Sequence, residues 1–454
     1  MATPKSFRIE STTDIRNSLS DYLSIIAQLD PLPRERSLTR AVRRKLQKRY
    51  GTLCGYCGNS AELDAAHIIP LEIGARTTED NIILLCKPCH KYYDRGHLSI
   101  NEMSKVAEEW RKGISSPKTR RPLTSIDTPR PSITLPPDSL RTTFDAVLQM
   151  QRERKFVKAI NTVVKQLDND SLADTERIYL RIKRAELLRR RSAKGVVQKA
   201  LKYLLEITPQ GISAQYLPVY YYELNYVHRL MGNHNEAARV ARCSAEASLA
   251  CSGGRPQVDY VAALANELLC NMAAIAKLSK HQARDLEERL VELKTVSEKC
   301  GEYWGGRWAL NCAAHALQVR IKANDARRSW KLLGVLRNLY FDSDVSSGWD
   351  SGGHQTISLL EGLVHVLFPR SAQDIDTGIG MLARSFMTRL GPRQRPEGIR
   401  DAGFGLAVGL RKTKDNSLVH LSKYLENLMQ QVVDGTSVLW PWHAPDNDFV
   451  HEFI

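Results

Sequence analysis

Two Cys-x-x-Cys pairs, Cys54/Cys57 and Cys86/Cys89, restrict the fold of this chain more than any other feature. Each pair fits a tight turn that directs two thiolates at one point, and 28 residues separate the pairs. Two such turns predict a closed tetrahedral site for a structural Zn²⁺ ion, in which four thiolates leave no coordination position open for water. Redox chemistry is the alternative use of a Cys-x-x-Cys pair, and a second pair at this spacing disfavours it.

Other side chains with chemical potential lie between and just after these cysteines: Asp64, His67, Asn81, His90 and Asp94. The stretch LDAAHIIPL is β-branched and apolar enough for a strand, and Pro70 ends it, which leaves His67 at the strand's exit. A histidine there can be neutral at pH 7 and accept a proton from water. From Cys89 the sequence predicts a helix in which His90 and Asp94, four residues apart, share one face as a pair of metal ligands.

This stretch resembles the HNH endonucleases, a ββα-metal fold in which a β-hairpin and a helix surround one metal ion. Three motifs carry the resemblance: DAAHIIP (64–70), EDNIILL (79–85) and CKPCHKYYD (86–94). His67, Asn81 and His90 follow the family's order and approximate spacing, and four-cysteine zinc frames are common in the family. The resemblance covers about residues 40 to 100, near an eighth of the chain.

The resemblance implies hydrolysis of DNA phosphodiester bonds at a site that includes His67, Asn81 and His90. His67 would be the general base, and Asn81 would hold the histidine loop in place through hydrogen bonds to the backbone. His90 would be a ligand of a catalytic divalent metal, expected to be Mg²⁺ or Mn²⁺, that stabilises the pentavalent phosphate and the leaving 3′ oxygen.

Ala66 departs from the family pattern, because many members carry Asp or His as a metal ligand immediately before the general base. A branch with an Ala-Ala-His-Ile-x-Pro motif and a later His-x-x-x-Asp looks similar to this chain. We therefore expect the catalytic metal to rest on His90 and Asp94 with waters and phosphate oxygens. Asp64, on the same strand face as Ala66, would assist. His97 is a further candidate ligand, although such a residue is more often merely exposed.

The fold class predicted for the whole chain is α+β: a small zinc-bound ββα-metal domain followed by a large all-α helical-repeat domain. Residues 12–29 predict one amphipathic helix, residues 37–50 a basic helix, and residues 101–110 a closing helix. The predicted segments are a helical extension (1–36), the HNH nuclease domain with structural zinc (37–112), a Pro-rich linker (113–140), an α-helical repeat domain (141–434) and a C-terminal tail (435–454).

Helical spacing of apolar residues continues through the long C-terminal part, with turn signals between segments of 12 to 20 residues. Residues 220–250 resemble a tetratricopeptide repeat, with a first helix that ends in Leu-x-Gly and a second that carries small residues. Residues 185–207 have a similar layout. We interpret this part as paired helices stacked in an α-solenoid, a platform suited to a protein partner or a small-molecule activator.

Charge and composition restrict the partners and the compartment. The formal net charge of +15 favours a polyanion, with DNA as the leading candidate and RNA left open. The first residues lack the apolar core of a signal peptide, and no run of about 18 uncharged apolar residues occurs, so we expect no membrane span. Nine cysteines, an odd total, argue against a disulfide framework. The expected location is the cytoplasm, or the nucleus in a eukaryote.

Two functions from different classes remain after the sequence is read. The first is a metal-dependent DNA endonuclease whose helical domain recognises a partner or signal, an architecture that resembles bacterial anti-phage effectors. The second is a non-catalytic adaptor, in which the zinc domain grips nucleic acid and the helices recruit proteins. The oligomeric state is open in both.

Overall fold

The computed structural model describes residues 12–30, 38–60, 62–69, 77–94, 98, 100–113, 136–152, 155–191, 195–275, 278–300, 302–342, 350–390 and 396–432. Within these ranges it has one two-stranded sheet near the N-terminus and is otherwise mostly helical. The predicted α+β class, a small sheet followed by a large helical part, is confirmed. None of the helices in these ranges combines the length and apolar character needed to cross a membrane.

The N-terminal segment forms two short helices, α1 (Thr12–Ser18) and α2 (Leu23–Gln28), where the sequence predicts a single one. A turn at residues 19–22 separates them, and Ser20 donates a side-chain hydrogen bond to Asp21 within it. Serine and aspartate side chains compete with helical hydrogen bonding, which favours a turn at this point. Leu19 in the same turn is fully buried, so the break also serves packing.

The ββα unit lies between two helices. Helix α3 (Arg40–Tyr50) precedes it and begins at Thr39, whose hydroxyl accepts a hydrogen bond from the Val42 amide. Strands β1 (Leu63–His67) and β2 (Ile82–Cys86) pair antiparallel, so that Leu63 lies opposite Cys86 and His67 opposite Ile82. Helix α4 (Lys87–Asp94) follows β2 directly and packs on both strands, and α5 (Ile100–Arg111) closes the unit.

The remaining described residues form helices α6 to α19: Arg141–Arg152, Phe156–Leu167, Asp174–Arg191, Val196–Leu205, Leu217–Leu230, His234–Cys251, Val258–Ala274, Lys280–Glu298, Glu302–Lys322, Ala326–Asp342, Asp350–Leu367, Ala372–Arg389, Pro396–Arg411 and Asn416–Val432. Each helix packs on the next along the chain, the contact pattern of stacked helical pairs. The repeat-like residues 220–250 fall on α10 and α11, which contact each other extensively. The assignment to tetratricopeptide repeats stays an interpretation.

The ββα unit is packed against the far end of the chain. One hydrophobic core contains residues of α1 to α5 together with residues of α14 to α19, whereas residues 140–240 form a second core. Asp30, just after α2, receives two hydrogen bonds from Arg384 of α17, at 2.8 and 3.2 Å, and the two side chains are 1% and 6% exposed. Tyr424 of α19 donates to the Ser18 carbonyl and lies against the Tyr22 ring.

The predicted domain boundaries stay predictions. Most of the Pro-rich segment, residues 114–135, and all of the predicted tail lie outside the described residues. Residues 136–140 lead into α6 through a 3₁₀ turn (Asp138–Leu140), and Leu140 is buried in the second core.

The Asp30–Arg384 pair gives a test of how the ββα unit is held. Asp30→Asn leaves the Arg384 guanidinium buried without a counter-ion, and removal of one partner of a buried pair costs about 3–5 kcal/mol. We expect amide hydrogen exchange to show a loss of protection of about that size in α2 and α17. The exposed carboxylate variant Asp21→Asn is the control. Equal protection of α2 and α17 in the two variants would show that the Asp30–Arg384 pair does not hold these helices together.

Candidate active site

The four cysteine thiols converge on one buried point. The Sγ atoms of Cys54, Cys57, Cys86 and Cys89 all lie within 4.8 Å of one another, and the Cys57–Cys86 separation is 3.8 Å. Sulfur ligands about 2.3 Å from a tetrahedral zinc ion are about 3.8 Å apart. The cluster therefore fits the structural zinc that the sequence predicts.

Local backbone geometry explains why the first cysteine pair turns as it does. The Gly58 amide donates to the Cys54 carbonyl at 2.9 Å, and Gly58 has a φ of +73°, which favours glycine. The Gly55 amide donates to the Leu84 carbonyl of β2 at 2.7 Å. A Cβ atom at Gly55 would lie 2.6 Å from the Ile83 side chain, so only glycine lets the turn sit this close to the strand. The turn is thus joined to the sheet.

The thiol pKa values show why this cluster needs a cation. A hydrogen bond from the Cys89 thiol lowers the pKa of Cys54 to about 4, and the same bond raises the pKa of Cys89. Burial raises the pKa of Cys57 to about 11. The cluster therefore favours the thiolate of Cys54 and opposes those of Cys57 and Cys89. Four thiolates coexist in this small buried volume only around a positive ion that offsets their repulsion.

Helix α5 braces the first cysteine turn, which the sequence did not reveal. The Trp110 indole donates to the Gly55 carbonyl at 2.7 Å, and its ring lies 5.1 Å from the Tyr50 ring. Tyr56, inside the turn, donates its hydroxyl to Glu102 at 3.1 Å. The closing helix therefore holds the zinc frame through aromatic side chains whose role only the three-dimensional contacts define.

His67 is the last residue of β1 and is partly buried. Its Nε2 atom lies 3.0 Å from the Thr77 hydroxyl, a partner that the sequence did not suggest. A neutral imidazole that donates from Nε2 keeps its lone pair on Nδ1, so this contact suits a ring that accepts a proton at Nδ1.

Asn81 holds the chain that leaves β1 just after His67. Its Nδ2 donates to the Ile69 carbonyl at 2.9 Å, and its Oδ1 accepts from the Ile69 amide at 2.7 Å. The Asn81 carbonyl also accepts from the Ile68 amide, and the Tyr93 hydroxyl of α4 donates to the Ile68 carbonyl. Four hydrogen bonds therefore restrain the two residues after His67. The contribution of Tyr93 was not apparent from the motifs.

The structure brings Asp64 and His90 together. Asp64 Oδ2 of β1 lies 3.6 Å from His90 Nδ1 of α4. Neighbouring ligands of an octahedral ion about 2.1 Å from each lie about 3.0 Å apart, so the two atoms reach one divalent ion after a shift of about 0.6 Å. Ala66, two residues along β1, is 2% exposed and offers no donor atom.

The structure leaves the rest of the predicted ligand set undefined. Asp94 ends α4, but its side chain lies outside the described residues, as does His97. Among the side chains that are described, the four cysteines are the only group of three or more metal-binding residues.

Helix α3 supplies the positive charge next to this site. Two of its cations contact Glu79 in the loop before Asn81. The Lys45 ammonium lies 2.7 Å from the Glu79 carboxylate, and the Arg49 guanidinium donates to the Glu79 backbone carbonyl at 2.9 Å. The other cations of α3 are exposed: Arg40, Arg43, Arg44 and Lys48. The helix therefore presents a cationic outer face beside the ββα unit.

The β-hairpin, the following helix and the four-cysteine cluster define a zinc-framed ββα module. Residues 54–95 match the family model for HNH endonuclease, so the predicted family resemblance is confirmed for this module. The match indicates a nuclease or nucleic-acid-binding function. Comparison with curated proteins and with solved structures gives no match.

Zinc content gives a direct test of the cysteine cluster. We expect about one zinc ion per chain by elemental analysis, because four thiolates fill its coordination shell. Cys86→Ser removes a ligand and should lower zinc content and unfold the ββα unit, seen as faster amide exchange in β1 and β2. Cys251→Ser, a change at an exposed cysteine outside the cluster, is the control. Full zinc occupancy in Cys86→Ser would contradict the assignment.

Proposed function

We propose that this protein is a metal-dependent HNH endonuclease that hydrolyses DNA phosphodiester bonds, with His67 as the general base. The observation that carries the proposal is the position of His67 at the end of β1, where Thr77 contacts Nε2 and Asn81 restrains the two following residues. A base must be held in one orientation to take a proton from water, and these contacts restrain the imidazole. The Thr77 hydroxyl can accept from the tautomer that is protonated at Nε2, which carries its lone pair on Nδ1.

The proposed reaction is an attack of water on the phosphate. His67 Nδ1 takes a proton from the water as the oxygen–phosphorus bond forms, the bond to the 3′ oxygen breaks, and that oxygen takes a proton from solvent. His90, Asp64 and Asp94 would hold a divalent ion, Mg²⁺ or Mn²⁺, which stabilises negative charge on the phosphate and on the leaving oxygen. The 3.6 Å between Asp64 and His90 supports this ligand pair.

The charge distribution favours a nucleic acid as substrate, and the HNH match favours DNA. The exposed cations of α3 meet phosphates without reading bases, so the predicted cleavage has little sequence preference. RNA carries the same phosphates and stays an alternative substrate, which a cleavage assay on labelled RNA decides.

We propose that the helical part receives a protein partner or a small-molecule activator and thereby controls the nuclease. Packing of α1, α2 and α5 on α15, α17 and α19 supports this, because a change in those helices reaches the ββα unit through direct contacts. By analogy of architecture alone, we propose a cytoplasmic anti-phage effector, in which oligomerisation is one route of activation.

A non-catalytic nucleic-acid-binding adaptor is the second candidate. Ala66 favours it, because no metal-binding side chain stands immediately before His67. The adaptor would use the same zinc frame and the same cationic face of α3, without hydrolysis.

Plasmid cleavage with Mg²⁺ or Mn²⁺ separates the two candidates. We expect His67→Ala to lower the cleavage rate by about 10²–10⁴-fold, the usual contribution of a general base, while DNA affinity stays unchanged. His281→Ala, at an exposed histidine of α13, is the matched control. Equal rates for the wild type and His67→Ala would exclude His67 as the base, and no cleavage by the wild type with intact DNA binding would favour the adaptor.

Asn81→Ala tests the restraint on the histidine loop. The change removes two hydrogen bonds to Ile69, each with a net value of about 1 kcal/mol, so we expect a lower cleavage rate and an unchanged pH dependence. The pH profile separates positioning from proton transfer, because the proposed base stays in place. Asn59→Ala, at an exposed asparagine of the same unit, should cleave like the wild type. A shifted pH profile in Asn81→Ala would show that Asn81 does more than position the loop.

A further inference from the structure

A cavity of about 210 Å³ lies among α7, α8 and α9, far along the chain from the zinc module. It is lined by Leu167, Arg177, Arg181, Arg184, Tyr203 and Glu206. The three arginines stand four and then three residues apart on α8, so they share one helix face. The lining thus holds three cations and one carboxylate.

Tyr203 orients the Arg184 side chain, but one of the guanidinium donors of Arg184 has no hydrogen-bond partner. Its guanidinium lies over the Tyr203 ring at 4.1 Å from the centroid, and its Nη2 donates to the Tyr203 hydroxyl at 3.0 Å. Its Nε atom is buried and has no hydrogen-bond partner. A buried charged donor without an acceptor is costly. The Arg184 guanidinium lines the cavity and carries further N–H donors on its terminal nitrogens, which are the ones that a bound phosphate would meet.

The other two arginines that line the cavity, Arg177 and Arg181, also lack a carboxylate partner among the described residues. Arg177 donates to the carbonyl oxygens of Leu167 and Asn169, at 3.0 and 3.4 Å, which orient the guanidinium without neutralising it. Arg181 is exposed. Within the described part of the chain, none of the three pocket arginines forms an ion pair with a carboxylate.

Three other cations of α8, which lie outside the cavity, form ion pairs with carboxylates. Lys183 and Arg190 pair with Glu186, at 2.7 and 2.6 Å. Arg189 pairs with Glu223 of α10 at 2.7 Å. Among the α8 cations whose side chains the structure describes, those outside the cavity are paired with carboxylates, whereas the three that line it form no ion pair.

We propose that this cavity binds a small phosphate monoester whose organic part carries hydroxyl groups, such as a nucleoside monophosphate. Guanidinium groups suit phosphate, because their planar forks match two oxygens at once. At about 210 Å³ the cavity holds the phosphate and only part of the organic group, and the rest of the ester would extend into solvent. Glu206 repels a free dianion but accepts a hydrogen bond from a hydroxyl, so it favours an ester over inorganic phosphate. The proposal does not depend on the nuclease assignment.

Isothermal titration calorimetry on the full chain, without divalent metal, tests the proposal. The probes are AMP, inorganic phosphate and adenosine, and we expect AMP to bind more tightly than phosphate and adenosine not to bind. Arg181→Gln, at an exposed position that leaves the helix core intact, should weaken AMP binding at least tenfold. Lys199→Gln removes the same charge from an exposed site on α9 and should bind AMP like the wild type.

Several outcomes would overturn the proposal. Absence of heat with AMP would exclude the site, and equal affinity in Arg181→Gln and Lys199→Gln would place any binding elsewhere. Equal affinity for phosphate and AMP would exclude ester recognition. Loss of AMP binding in His67→Ala would move the ligand to the zinc module, whereas unchanged binding there supports the cavity in the helical part.

Discussion

The convergence of four buried cysteines on one point, where four thiolates would repel one another unless a cation lay between them, is the constraint on which the candidate site depends. The first cysteine turn is joined to β2 through Gly55, Cys86 ends β2, and Cys89 lies in α4. A zinc ion at the cluster would therefore hold together a turn, a strand and a helix in a unit too small to build a large core. His67 and His90 sit on elements whose relative position this one site sets.

The second support comes from the opposite end of the chain. One hydrophobic core joins the ββα unit and its flanking helices to α14–α19, and the buried Asp30–Arg384 pair fastens the segment after α2 to α17. The zinc frame thus orders the unit internally, and the last helices hold it from outside. These contacts connect the short zinc module to the last helices of the array, although residues 114–135 and the helices after them lie between the two along the chain.

The sequence predicted individual strands and helices, but it did not predict the contacts between residues that are distant along the chain. Short-range rules predicted the strand that ends at His67 and the helix that carries His90, because spacing and residue type decide them, and the family resemblance implied the β-hairpin. The single helix predicted for residues 12–29 was wrong, since burial of Leu19 and contacts with Tyr424 favour a turn there. The roles of Thr77, Tyr93 and Trp110 were not apparent from the sequence, because each donates or accepts a hydrogen bond with a residue at least ten positions away.

The sequence by itself determined the chemistry: four thiols for zinc, a histidine, an asparagine and a second histidine in family order, and a long helical remainder. Residue type and spacing carry that information, because metal coordination and helical periodicity are properties of a few neighbouring residues. Tertiary structure alone decided which atom of His67 faces Thr77, that Asp64 meets His90, and that Asp30 meets Arg384 across the fold. Those contacts follow from how the elements pack, which no short stretch of sequence encodes.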